Sequence, residues 1–181
     1  MIVLVDGPSG SGKTTLATRL GILLRLPVIH MDDFYPGWSG LAAGSDIIAA
    51  SVLKTTDPGY YRWDWANDRA GEWVPVPPGA KIIEGAGAVT AETLRAASIS
   101  DHQVAAIMLT GEATTRYRRA MQRDPYYEPY WKMWAEQEKR HYAVQSQGLG
   151  DLVPTLWIDT TGLDAGQVVR RAYDFITYYV E

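Results

Sequence analysis

One stretch constrains this chain more than any other. The apolar run Ile2-Val3-Leu4-Val5 leads into Gly7-Pro8-Ser9-Gly10-Ser11-Gly12-Lys13-Thr14, and Thr15-Leu16-Ala17-Thr18-Arg19-Leu20 follows. The middle segment has the spacing G-x-x-x-x-G-K-[ST]. A strand, a glycine loop and a helix in direct succession aim successive backbone N–H groups and a helix N-terminus at bound phosphate. Gly7, Ser9, Gly10, Ser11, Gly12, Lys13, Thr14 and Thr15 are therefore the expected nucleotide-binding residues. Lys13 reaches the β- and γ-phosphates, and the Thr14 hydroxyl ligates Mg²⁺. A glycine turn with a surface lysine is the plain competing explanation, and it leaves the strand and helix on either side unaccounted for.

Further apolar runs recur between helix-like segments: Pro27-Val28-Ile29-His30-Met31, Lys81-Ile82-Ile83, Val104 to Leu109, and Thr155 to Asp159. Short, nearly continuous apolar runs are what strands buried on both faces look like. Helices are expected near 13–25, 45–54, 90–97, 112–123, 129–147 and 164–179. The alternation predicts an α/β fold with a parallel sheet and right-handed crossovers. Ligands then bind beyond the carboxyl ends of the strands. Asp6, Asp32, Glu84 and Asp159 all follow strand ends. Two stretches break the rhythm: 56–79, rich in Trp, Pro, Gly and charge, and 123–131. Each reads as a lid or substrate loop, or as an ordinary surface excursion. The expected organisation is one domain over 1–181, with an acceptor-side insertion near 56–79 and a lid near 112–131.

Bulk properties exclude some classes. The formal net charge is −4, which argues against broad nucleic-acid binding. There is no cysteine, so disulfides, thiolate metal sites and cysteine nucleophiles are ruled out. The first strand begins at Ile2, which predicts no signal peptide, and no apolar run approaches membrane-spanning length. A cytoplasmic protein without membrane contact is the expectation, and its oligomeric state is left open.

Phosphoryl transfer needs a phosphate cradle, a metal, a group for the acceptor hydroxyl, and positive charge for the transferring oxygens. Asp32 and Asp33 follow the second strand, where a carboxylate accepts a proton or helps hold Mg²⁺. Adjacent side chains on extended backbone point apart, so one of the pair is expected to face the phosphates; capping of the next turn is the alternative. Glu84, in Glu84-Gly85-Ala86-Gly87, is placed for the metal or its waters. Arg116, Arg119 and Arg123 share one helical face, where guanidinium groups clamp phosphates. Arg118 points elsewhere, and a solvated charged face is the competing explanation. Asp159-Thr160-Thr161-Gly162 either borders an adenine or caps the last helix.

These landmarks together resemble the P-loop nucleoside and nucleotide kinase superfamily, and most closely its uridine kinase-like branch. Met31-Asp32-Asp33-Phe34-Tyr35 resembles the Asp-Ser-Phe-Tyr stretch after the second strand of uridine kinases. Ile83-Glu84-Gly85 resembles the Glu-Gly at the third strand end. Arg119-Ala120-Met121-Gln122-Arg123-Asp124 is similar to the Arg-x-x-x-Arg-Asp of the lid. The resemblance implies a P-loop three-layer sandwich: a five-stranded parallel sheet of order 2-3-1-4-5, flanked by helices, with a lid. It also implies Asp32 as base near the metal, Glu84 as a Mg²⁺ contact, and ATP as phosphoryl donor. Lys13, Asp32, Arg119 and Arg123 are then the catalytic set, Arg116 a further nucleotide contact, and Thr14, Asp32 and Glu84 the metal set.

The sequence departs from that branch at Asp33, where Ser is usual. It also lacks the lid's acidic-Arg-Gly-Arg continuation and the uridine-recognition residues. The acceptor is accordingly a nucleoside, a nucleoside monophosphate or another small hydroxyl compound. Asp32, Tyr35, Arg62 and Asp64 are its candidate contacts, with Arg62 for an acceptor phosphate. Trp63 and Trp65 stack a ring or plug a long loop. Tyr130, Trp131, Trp134, Glu138 and Tyr142 recur at helical spacing and read as core, with Glu138 the odd member. The three histidines show no metal-ligand spacing and read as structural or surface residues. Two other functions stand beside the kinase: a P-loop ATPase working on a macromolecule, and a nucleotide-binding regulatory module.

Overall fold

The computed structural model describes residues 1–145 and 152–179. Its centre is a parallel sheet of β1 (Ile2–Asp6), β2 (Val28–His30), β5 (Lys81–Glu84), β6 (Val104–Thr110) and β7 (Thr155–Asp159), ordered β2-β5-β1-β6-β7. Counted among these five alone, the order is the expected 2-3-1-4-5. β1 lies between β5 and β6, with Val5 opposite both Glu84 and Ile107. That register brings the ends of β1 and β5 level, so the phosphate loop and Glu84 emerge side by side.

Alternation along the strands splits the core between the two faces. Ile2, Leu4, Ala106 and Met108 belong to one apolar cluster, Val3, Val5, Ala105 and Ile107 to the other. Both faces are covered, which is why the strand runs are continuously apolar. α1 (Lys13–Leu24) and α6 (Ala165–Tyr179) cover the second face, contributing Leu16, Leu20, Val168, Ala172 and Ile176. α2 (Leu41–Ile47), α3 (Ala91–Ser98) and α5 (Glu128–Gln145) supply Leu41, Leu94 and Trp134 to the first. α4 (Ala113–Arg123) leads from β6 towards α5, through a short 3₁₀ turn over Pro125–Tyr127.

Three details differ from the sequence expectation. The helix expected over 45–54 starts at Leu41 and passes into a π-helical turn over Ile48–Val52. Its start is hidden by the turn-forming residues Pro36, Gly37, Ser39 and Gly40. The irregular segment 56–79 contains an antiparallel hairpin, β3 (Gly59–Asp64) with β4 (Arg69–Pro75), bulged between Tyr61 and Trp63. Aromatic residues favour that pleated surface, while the turn over 65–68 is held by Asp64 accepting from the N–H groups of Ala66 and Asn67. The helix expected over 129–147 begins at Glu128, and its last two positions lie outside the described residues.

Candidate active site

The phosphate loop is held by its neighbours before it holds anything itself. Gly10 has φ +76°, and a Cβ there would lie 2.1 Å from the Arg116 carbonyl oxygen, so α4 packs directly on the loop's backbone. The Arg116 guanidinium donates to the Ser9 carbonyl at 2.9 Å and to Gly111 at 3.0 Å. Arg116 thus grips the loop's main chain from behind and is not among the cavity-lining residues, unlike the nucleotide contact expected of it. Among the described residues no side chain caps α1, and the N-terminus formed by Gly12, Lys13, Thr14 and Thr15 opens onto a cavity of about 520 Å³. Uncapped first-turn N–H groups at a cavity wall are an anion cradle.

The same cavity gathers most of the other expected residues. Ser9, Gly10, Asp32, Tyr35, Glu84, Arg119 and Arg123 line it with the cradle. Gly7 and Ser11 do not line it; Ser11 borders a neighbouring hollow, is 1% exposed, and its hydroxyl has no partner among the described residues. Lys13 reaches back to the Pro8 carbonyl at 3.3 Å. Arg119 is aimed by the β7–α6 loop, donating to the Thr160 hydroxyl at 3.0 Å and carbonyl at 2.8 Å. Arg118 is exposed. A second hollow of about 240 Å³ lies beyond Arg119, bounded by Gly12, Thr15, Thr160 and Leu163.

The two adjacent aspartates part company, although they lie in a 3₁₀ turn over Met31–Asp33 and not on the extended backbone expected of them. Asp32 faces the cavity; Asp33 accepts from the Tyr60 hydroxyl at 3.1 Å and pairs with Arg62 at 3.8 Å. Burial raises the Asp32 carboxyl above its ordinary value, Glu84 adds to the rise, and Lys13 and Arg123 oppose it. Its side chain is open to cavity water, which limits the size of that rise. Glu84 is buried, and its Oε1 lies 2.7 Å from Nδ1 of His30. That hydrogen bond raises the His30 imidazole above its usual range, against the opposing effect of burial. Residues 30 and 84 are brought together only by the β2–β5 pairing, in which they are register partners.

Arg62 and Asp64 do not reach the cavity. Arg62 is engaged by Asp33, and Asp64 accepts from the Asn67 side chain at 2.7 Å within its own hairpin turn. Tyr35 lines the cavity but is 2% exposed, donating its phenol to the Ala86 carbonyl at 2.8 Å. Trp65 is the hairpin's contribution: its indole N–H donates to the Asp32 carbonyl at 3.0 Å and closes one wall. Trp63 is not among the lining residues, and its buried indole N–H has no partner among the described residues.

Sequence reasoning missed the remaining wall. Trp38, Tyr127 and Trp134 also line the cavity, and Tyr127 reaches the loop itself, 3.0 Å from the Ser9 hydroxyl. Trp38 stacks on Tyr130 with centroids 3.9 Å apart and planes at 3°. Trp134 meets Tyr35 edge-on at 4.9 Å. Trp38 sits six residues after Asp32, in the loop that leaves the same strand end, and that proximity was its only sequence signal. Among the described residues no cluster of three or more His, Asp or Glu forms a self-sufficient metal cage, and no helix is long and apolar enough to cross a membrane.

Comparison with known proteins supports the fold. No family model matches the chain, and no curated protein does. Solved structures match over nearly its whole length at low identity. A sugar kinase from Janibacter sp. HTCC2649 shares 16% identity, with 97% of this chain and 94% of that one covered and a TM-score of 0.61. A gluconokinase from Sinorhizobium meliloti 1021 shares 15%, over 98% and 92%, also at 0.61. A possible uridine kinase from Bacillus stearothermophilus shares 18%, over 88% of each chain, at 0.53. These likenesses establish that the chain shares its α/β architecture with these structures.

Proposed function

We propose that this protein is an ATP-dependent small-molecule kinase that transfers the γ-phosphoryl group to an uncharged, flat-faced hydroxyl compound of the nucleoside type. One observation carries the reading: the phosphate cradle and Asp32 open into a single cavity that Trp38, Tyr127 and Trp134 also line. A switch or regulatory module needs the cradle but has no use for a base facing an aromatic-walled acceptor space. The kinases among the similar structures support the same class.

In this reading the nucleotide phosphates lie on the N–H groups of Gly12 to Thr15. Thr14, Asp32 and Glu84 fit a hydrated Mg²⁺: they offer one hydroxyl and two carboxylates beside the cradle, the few protein oxygens such an ion takes when phosphates supply the rest. When bound, Mg²⁺ neutralises phosphate charge. Asp32 accepts the proton of the acceptor hydroxyl as its oxygen attacks the γ-phosphorus. The bond from that phosphorus to the β–γ bridging oxygen breaks, and ADP leaves. Lys13, Arg119 and Arg123 stabilise charge on the transferring oxygens. The hollow beyond Arg119 takes the adenine, against the Thr160 loop.

The charge of the acceptor follows from the cations that line the cavity. These are Lys13, Arg119 and Arg123, which the donor phosphates engage in this reading, and Arg62, the one residue expected to hold an acceptor phosphate, lies outside. Aromatic faces suit a planar ring or the apolar face of a sugar. A nucleoside therefore fits better than a nucleoside monophosphate. The test is acceptor-dependent ADP release with nucleosides, nucleoside monophosphates, sugars and sugar acids. Release with nucleosides above the others supports the reading. Release at one rate whatever is added points to an ATPase instead.

A further inference from the structure

A chain of hydrogen bonds joins the phosphate loop to the aromatic wall, and its direction is fixed. Glu138, on α5, is 3% exposed. Its Oε1 accepts from the backbone N–H of Ser9 at 2.7 Å and from the Ser9 hydroxyl at 2.7 Å. Arg116 lies 3.9 Å from the other carboxylate oxygen. A carboxylate held by two donors and a guanidinium is an acceptor only. The Ser9 hydroxyl has one hydrogen, and Glu138 takes it.

That assignment settles the next bond. Ser9 Oγ lies 3.0 Å from the Tyr127 hydroxyl. With its hydrogen given to Glu138, Ser9 Oγ must accept there, so Tyr127 donates. The Tyr127 hydrogen is then committed inside the protein, while Tyr127 itself lines the cavity. Only lone pairs of its oxygen remain for a ligand. Burial raises the phenol well above its ordinary value, so it stays neutral. Lone pairs repel phosphate oxygens, which also only accept; they suit a group that donates.

We propose that Tyr127 is a specificity-determining residue that reads a hydroxyl or N–H group on the phosphate acceptor, with its polarity fixed by the Glu138–Ser9 pair. This inference rests on the kinase reading above. It adds a chemical requirement: besides the hydroxyl that is phosphorylated, the acceptor carries a second hydrogen-bond donor. Tyr127 enters the chain just after Pro125, whose ring stops α4, and Asp124 caps the turn by accepting from the Tyr126 N–H. The side chain is therefore held by a short, rigid turn, as a recognition residue should be.

The experiment compares acceptor pairs that differ by one donor: uridine, cytidine, adenosine and guanosine, each with its 2′-deoxy and 3′-deoxy counterparts. Acceptor kcat/KM is measured for the wild type, Tyr127→Phe, Glu138→Gln and Glu138→Leu, with KM for Mg·ATP as a control on the loop. Wild type is expected to lose about tenfold or more in kcat/KM when the read group is absent, since the site's polar atom is left unpaired. Tyr127→Phe should treat the pair alike, with its KM for Mg·ATP little changed. Glu138→Gln keeps an accepting oxygen and should keep the discrimination. Glu138→Leu frees the Ser9 hydrogen, releases Tyr127 from its fixed polarity and should lose it. Undiminished discrimination in Tyr127→Phe overturns the inference while leaving the kinase intact. So does loss in Glu138→Gln with retention in Glu138→Leu. Absence of acceptor-dependent ADP release by the wild type overturns the kinase reading, and this inference with it.

Discussion

The Tyr142 hydroxyl donates to the Asp6 carboxylate at 2.7 Å, joining α5 to the end of the central strand across 136 residues of chain. Asp6 is fully buried and also accepts from the N–H groups of Gly7 at 2.5 Å, Gly87 at 3.0 Å and Val89 at 2.8 Å. One carboxylate thus fixes the start of the phosphate loop, the loop after Glu84 and the helix behind the aromatic wall. Replacing Asp6 by Ala leaves several buried donors unpaired, at a cost of about 3 kcal/mol or more. For a domain of this size that lowers Tm by roughly 6–12 °C. Tyr142→Phe, which removes one bond, should cost about 1 kcal/mol. Scanning calorimetry of the two variants checks the ratio; an Asp6→Ala protein as stable as wild type would remove Asp6 from this role.

Asp32→Asn should lower phosphoryl transfer by about 10²–10⁴-fold while Mg·ATP still binds, because a general base contributes on that order. Single-turnover kinetics beside calorimetric nucleotide titration separates the two effects.

The pH dependence has a definite sign. Burial, with Glu84 second, raises the Asp32 carboxyl. In the proposed mechanism its ionised form accepts the proton, so acceptor kcat/KM should fall as pH drops through that raised value, with an acid limb above the ordinary carboxylate range. Folding disfavours the same ionisation. The resulting loss of stability develops as pH rises from the unfolded carboxyl value through the folded one. Asp32→Asn should therefore raise Tm near neutral pH and not below pH ~3, where Asp is protonated in both states. Thermal melts at the two pH values check this, and an acid limb that survives in Asp32→Asn assigns it to another group.

Arg123→Met should lower kcat with little change in melting temperature, since its side chain is exposed at the cavity rim and lines the cavity beside Asp32. A loss of about 10²–10³-fold is the scale for one charge aimed at the transition state. Arg119→Met should instead raise KM for ATP as well, because it removes the link to the Thr160 loop at the edge of the second hollow.

Gly10→Ala should abolish nucleotide binding, not merely weaken it. The added methyl would lie 2.1 Å from the Arg116 carbonyl at a position with φ +76°, so either the loop or α4 must move. Fluorescent-nucleotide titration reads this directly; wild-type affinity in that variant would show that the loop and α4 separate freely.

The amino-acid sequence by itself determined the parts of this protein that are local. Gly7 to Thr15 announces its loop because glycine spacing, lysine and threonine lie within one turn of chain. The five sheet strands are legible because burial on both faces makes them continuously apolar. Asp32 and Glu84 are legible as cavity residues because both follow strand ends, where an α/β sheet opens its crevice. The hairpin of 59–75 was obscured by its polar and turn-forming residues, though its aromatic residues were visible. Tertiary structure alone decided what depends on contacts between distant segments. It separated Asp32 from Asp33 and sent Arg62 and Asp64 away from the cavity. It turned Arg116 onto the loop's main chain and paired His30 with Glu84 through strand register. It brought Trp38, Tyr127 and Trp134 from separate elements to one wall. A residue type and its spacing specify backbone conformation over a few residues; which side chains share a cavity is set by how helices and strands pack, and packing is a property of the whole chain.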